Sequence, residues 1–144
     1  MMITVIGIKS HQVTDGLWEK VEPYVQEGCD AWGTEDADDV LKWIKEKIVQ
    51  LWLVVEREGE ATNLIGSLIT EIVNYPKADV LRFRNYGGRM NTEVVDAISA
   101  LVKPWAVAQG CNRAEVWGRP GWQKLGGRML GDVRRSAVLL VGDL

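Results

Sequence analysis

The chain has 144 residues, 47% of them hydrophobic and 26% charged, a mixture that builds one core and keeps it in water, which excludes a mainly disordered chain. No apolar run approaches the roughly 18 residues of a membrane span, and MMITVIGIKSHQ lacks the cationic region and small-residue cleavage site of a secretory leader. Seventeen Lys+Arg against 20 Asp+Glu, a net charge of -3, argues against a protein that simply coats polyanions.

Residues 3–8 alternate weakly and read as a short strand. Asp15 is the expected cap of a helix carrying Leu17, Trp18, Val21 and Val25, with Pro23 tolerated only near its first turns. Thr34 is the expected cap of a second helix, where Ala37, Val40, Leu41, Ile44 and Ile48 recur at helical spacing. Glu35, Asp36, Asp38 and Asp39 fall in its first turns and Lys42, Lys45 and Lys47 later, the order a helix dipole favours. Residues 51–55, LWLVV, are short and wholly apolar, as in a buried strand. After the polar stretch EREGEATN, LIGSLITEIV is the next strand, and Gly66 in it marks a bulge or a close backbone approach. NYPKAD then turns the chain into VLRFRNY, with Leu81 and Phe83 expected on one face and Arg82, Arg84 and Tyr86 on the other. These strands form an antiparallel meander that ends at Gly87 and Gly88.

A long helix is expected over residues 92–109. Asn91 or Thr92 caps it, Gly110 lies just past its end, and Pro104 should kink it. NRAEVWG reads as a strand, RPGWQKLGGRML as a turn and short helix, and DVRRSAVLLVGDL as a last strand. The expected fold is therefore one α/β (α+β) domain over residues 1–144, with a mixed, mostly antiparallel central sheet and helices on both faces.

Charge is unevenly spread. Residues 15–39 hold nine acids against Lys20, whereas residues 103–135 hold seven bases against Glu115 and Asp132. The basic half would meet an anionic ligand, or the two halves are oppositely charged solvated faces. The helix dipole by itself accounts for much of the acidic cluster. Among the seven tryptophans, Trp43, Trp52 and Trp105 read as core, and Trp18, Trp32, Trp117 and Trp122 as interface candidates at element ends. His11 could pair with Cys29 or Cys111 as a nucleophile, but buried, inert cysteines are the simpler reading. Two cysteines are too few for a disulfide framework, and no metal-ligand spacing is present.

The segment RFRNYGGRMNTE joins a strand to the start of the long helix through two glycines. Such a loop turns successive N–H groups toward one anion, and the helix dipole adds about half a positive charge. With this segment in place, the order of elements resembles the GNAT superfamily of N-acetyltransferases over nearly the whole chain. That superfamily holds the acetyl-CoA diphosphate on a Gln/Arg-x-x-Gly-x-Gly/Ala motif. The resemblance maps it onto Arg84, Tyr86, Gly87, Gly88, Arg89 and Asn91, with Arg89 standing where a small residue is usual. A side chain there would either crowd the diphosphate or salt-bridge to it. The resemblance also implies a carboxylate base on the central strands, for which Glu71 is the candidate. Its tyrosine acid is missing around Gly126 and Gly127, which leaves Tyr75 and Tyr86 off the expected helix.

WAVAQGCNRAEVWGRPGW is similar, in its GC…GRPGW signature, to GNAT-like proteins encoded by tailed bacteriophages and prophages. Together with the missing tyrosine and the Arg89 departure, this resemblance implies a catalytically weak or inactive protein with a virion or assembly role, located in the virion or host cytoplasm and meeting other phage proteins, while the tryptophans at element ends suit self-association. The alternative is an acetyl-CoA-dependent N-acetyltransferase acting on a small amine or a host protein. A nucleic-acid module using Arg113, Arg119, Arg128, Arg134 and Arg135 is the weakest reading, since interleaved aromatics are few and the net charge is negative.

Overall fold

The computed structural model describes residues 2–118, 121–134 and 136–144. Along the chain run β1 (Met2–Ile8), a single 3₁₀ turn (Ser10–Gln12), α1 (Asp15–Asp30), α2 (Ala37–Lys45), β2 (Val49–Glu58), β3 (Ala61–Tyr75), β4 (Ala78–Gly88), α3 (Thr92–Ala108), β5 (Arg113–Val116) and α4 (Trp122–Leu130). The five strands form one sheet in the order β1-β2-β3-β4-β5. Every neighbouring pair is antiparallel except β4 with β5, which is parallel because α3 carries the chain back across the sheet.

The sheet has a core on each face. Val5, Trp52, Val54, Leu68, Leu81 and Phe83 face α3 and α4, packing on Val94, Val95, Ile98 and Val102. Leu51, Leu53, Val55 and Ile69 face the other way, onto Val21, Val25 and Cys29 of α1 and Val40 and Ile44 of α2. The LWLVV run is continuous because its alternate residues feed both cores.

Helix ends differ from the sequence expectation. Thr14, not Asp15, caps α1, its hydroxyl accepting the Leu17 N–H at 3.2 Å. Asp36, not Thr34, caps α2: Asp36 accepts the Asp39 N–H at 3.0 Å and Asp39 accepts the Asp36 N–H at 3.1 Å. The Thr34 hydroxyl instead donates to Glu35. Ile48 lies past the end of α2 and is exposed rather than part of its buried stripe. Both α1 and α3 run on past their prolines, which sit on exposed faces where water can reach the freed carbonyls. The largest departure is at the C-terminal side, where residues 132–134 and 136–144 form no strand.

Two bulges shape the sheet. One leaves Ile65 unmatched between Val54 and Val55, next to the glycine that predicts it. The other leaves Arg84 unmatched, because Ile69 pairs with Asn85 and Thr70 with Phe83. The extra residue inverts the alternation beyond it. Tyr86 therefore joins Phe83 on the α3 side, against the expectation that it would share a face with Arg82 and Arg84.

Candidate functional site

The parallel pairing of β4 with β5 covers only Val80–Phe83 against Arg113–Val116, and its last contact is the Trp117 N–H donating to the Phe83 carbonyl at 3.0 Å. Beyond it, the Arg84 bulge bends β4 away while β5 ends, so the two strands part. A cavity of about 310 Å³ opens in the gap. Leu68, Phe83, Ile98, Val116 and Met129 make its apolar walls, and Trp32, Tyr86, Trp117 and Trp122 add aromatic ones. Trp122, the first residue of α4, packs edge-on to Tyr86 with ring centroids 6.2 Å apart, and fits there because Gly118 has no Cβ.

At the α1/α2 side of this gap lies a half-buried chain of charges. Arg82 binds Glu115 at 3.2 Å and Glu71 at 3.7 Å, and Arg84 binds Glu71 at 2.8 Å and Glu35 at 3.3 Å. The guanidiniums also lie on aromatic rings, Arg82 at 4.0 Å from the Trp117 centroid and Arg84 at 5.2 Å from that of Trp43. Burial alone would lower the Arg84 pKa, but its hydrogen bonds and charge contacts with Glu35 and then Glu71 raise it above the ordinary arginine value. Three carboxylates face two guanidiniums, so the chain carries one excess negative charge. Asp30, Asp36 and Asp39 extend the negative potential along a shallow depression that reaches Glu35.

The structure separates the residues grouped by sequence. Glu71 stands beside the gap, but two guanidiniums already occupy it. Arg84 joins this network on the α1/α2 face, whereas Arg89 pairs with Glu56 on the opposite face and at the other end of β3. The two arginines therefore do not converge on one anion, as the loop motif implied. Gly87 and Gly88 belong to β4, not to a loop around the helix start. Gly88, at φ +110°, presents its N–H to the Glu27 carboxylate at 2.9 Å. Asn91 caps α3 through the Val94 N–H at 2.9 Å, and Glu93 adds an acid to the first turn. Tyr86 donates its hydroxyl proton to the Arg89 carbonyl at 2.6 Å, and burial, with Glu27 nearby, raises its pKa further above the usual phenol.

Glu27 of α1, Glu35 of the α1–α2 connection and Glu115 of β5 escape sequence reasoning because single acids in these places carry no motif. Of the four tryptophans expected at an interface, Trp32, Trp117 and Trp122 line the cavity, and Trp18 packs against the core on the α1/α2 face. Of the basic residues grouped for nucleic acid, Arg128 is bound to Asp96 at 2.8 Å, while Arg119 and Arg135 lie outside the described residues, as does Pro120 of the signature. Cys29 and Cys111 are free and buried. Among the described residues no group of three or more His, Cys, Asp and Glu converges as metal ligands, and no helix is long and apolar enough to cross a membrane.

No family model matches the chain, and no curated protein matches its sequence. Solved structures do match, end to end. A ribosomal-protein-alanine N-acetyltransferase from Brucella melitensis biovar Abortus 2308 superposes with a TM-score of 0.67 at 7% identity, covering 98% of this chain and 99% of that one. An aminoglycoside N-acetyltransferase, AAC(6')-Iy, in complex with CoA gives 0.62 at 14% identity, covering 98% and 94%. A GNAT family acetyltransferase of Staphylococcus aureus gives 0.60 at 14% identity, covering 99% of each chain. At such identities the likeness establishes architecture alone: the chain is a single α/β domain with the GNAT acetyltransferase fold.

Proposed function

We propose that this chain binds an acyl thioester of the acetyl-CoA kind in the β4–β5 cavity and passes its acyl group, slowly, to an amine. The amine arrives as the ammonium ion, loses a proton to solvent, attacks the thioester carbonyl as the neutral amine and, with loss of its second proton, expels CoA as the free thiol. The observation that carries the reading is the cavity itself, an apolar slot between parting parallel strands with a net-negative charge chain at one side. The walls fit the thioester arm: Phe83, Ile98, Val116 and Met129 offer apolar surface that excludes water. At the diphosphate end, the Gly88 N–H and the Arg89 guanidinium are the donors, and Glu27 and Glu56 hold them. Glu27 and the Arg89 guanidinium both reach solvent, so an incoming diphosphate can exchange for the two carboxylates. When bound, the thioester supplies an activated acyl carbon.

Glu35, Glu71 and Glu115 attract a protonated amine, and the Trp32–Trp117 pair, 6.0 Å between centroids, gives its carbon skeleton a surface. Slow transfer follows from Glu71, whose carboxylate is held by Arg82 and Arg84 rather than free to take the amine proton, and from the absence of a tyrosine on α4. The virion or assembly role implied by the phage-type signature draws no support from this geometry, and the named structural relatives are acetyltransferases.

A thermal-shift titration tests the proposal. Acetyl-CoA at about 100 times its dissociation constant should stabilise the protein by roughly 2.7 kcal/mol, and Glu27→Gln should bind more tightly by removing the carboxylate charge that competes with the diphosphate for the Gly88 N–H. Mass spectrometry should then show a polyamine acetylated slowly. No shift at millimolar acetyl-CoA in either the wild type or Glu27→Gln sinks the reading.

A further inference from the structure

The face of α4 that lines the β4–β5 cavity is interrupted. Trp122, Gly126 and Met129 follow one another at intervals of about one turn, so all three stand on that face. The outer two side chains are large, and the middle residue has none. The cavity wall therefore carries a notch between the Trp122 indole and the Met129 thioether.

Neither backbone nor packing requires a glycine there. Gly126 lies inside the helix without a positive φ. A Cβ on it would meet Val133 at 3.8 Å and Val116 at 3.9 Å, which are ordinary van der Waals distances. A glycine inside a helix weakens it relative to alanine, and what Gly126 contributes in exchange is room in the cavity wall.

The notch opens where the strands part. Val116, its neighbour, pairs with Phe83 at the last rung of the parallel ladder. Leu68, Phe83, Ile98, Val116 and Met129 make this end wholly apolar. The charged and amide side chains of Glu27, Arg84 and Asn85 lie toward α1 and α2 instead. The Gly88 N–H and the Phe83 rung are at opposite ends of the Phe83–Gly88 stretch of β4. A thioester anchored by its diphosphate at Gly88 thus points its acyl end toward the notch.

We propose that the notch at Gly126 is an acyl pocket, and that the donor it selects carries a short unbranched acyl group of the butyryl class rather than acetyl. This inference rests on the thioester reading and adds the acyl group to it. The transfer keeps its balance: the carbon–sulfur bond breaks as the carbon–nitrogen bond forms, CoA leaves as the thiol, and one proton of the ammonium reaches solvent. An acetyl group ends in a methyl that leaves the notch empty. The added methylenes of butyryl exchange water for contacts with Val116 and Met129, whose unbranched thioether adapts to their shape.

Calorimetric titration of the full chain with acetyl-CoA and with butyryl-CoA tests the proposal. Each methylene taken out of water strengthens binding about fourfold, the equivalent of about 0.8 kcal/mol, so butyryl-CoA should bind roughly 15-fold tighter. Gly126→Leu fills the notch and should bring the ratio of the two affinities to unity or below. Gly126→Ala, whose Cβ fits without displacing a neighbour, should give an intermediate ratio. Equal or weaker binding of butyryl-CoA by the wild type would overturn the acyl pocket and leave the thioester reading standing. A preference undiminished in both variants would also overturn it, because the methylenes would then be binding elsewhere. Failure of both thioesters to bind the wild type would remove the thioester reading and the acyl pocket together.

Discussion

At Gly87 the sheet and α1 meet backbone to backbone: a Cβ there would lie inside the van der Waals shell of the Tyr24 carbonyl. Gly87→Ala should therefore cost about 2 kcal/mol or more in urea unfolding, because the obstacle is main chain and cannot rotate away. A motif reading treats this glycine as a phosphate contact, whereas its contact is with α1. Cys29 is similarly decided by surroundings. Burial, then the charge of Glu35, pushes its thiol up from 9.0 to about 11. The neutral thiol is thus favoured in the fold, and the stability it contributes is present below the unfolded thiol pKa and lost as pH rises through about 11. Alkylation followed by peptide mass spectrometry should find Cys29 almost unreactive near neutrality, with labelling accelerating above pH 9 toward pH 11. Rapid labelling near neutrality would contradict the assignment.

Individual elements were legible where periodicity was strong. LWLVV, LIGSLITEIV and the α3 stripe were each legible as elements from their apolar residues, and Gly66 announced the bulge or close approach beside it. Ends were less legible, since Thr34 and Asp36 are equally good caps by residue type and only the turn of the α1–α2 connection selects between them. Asp36→Ala should lower stability by about 1 kcal/mol, since Asp36 accepts the Asp39 N–H and anchors the reciprocal cap. Thr34→Ala should cost much less, and comparing the two thermal midpoints checks which residue caps α2. The face of Tyr86 was not legible at all, because the bulge at Arg84 is created by pairing with β3, not by any local preference of VLRFRNY.

Over the whole molecule, the charge chain from Glu115 to Glu35 ties β5, β4, β3 and the α1–α2 connection together. Glu35 is 8% exposed and Arg84 19%, so removing the guanidinium strands a buried carboxylate. Arg84→Met should destabilise the fold by about 3 kcal/mol, and the double variant with Glu35→Gln should recover part of that loss. Equal stability of the single and double variants would show that the pair is not coupled. By itself the sequence determined the layer architecture, because apolar periodicities state which faces must be buried and the lengths between them state how strands connect. It also determined which residue types were available for chemistry. What only the tertiary structure decided was their grouping. Arg84 and Arg89 are five positions apart in the chain, yet they pair with acids on opposite faces of the sheet. Glu35 and Glu71, far apart in sequence, share one guanidinium. Charges carry no periodicity that marks their partners, so ion pairs and the cavity beside them emerge only when a bulge and a parted pair of strands bring distant segments together.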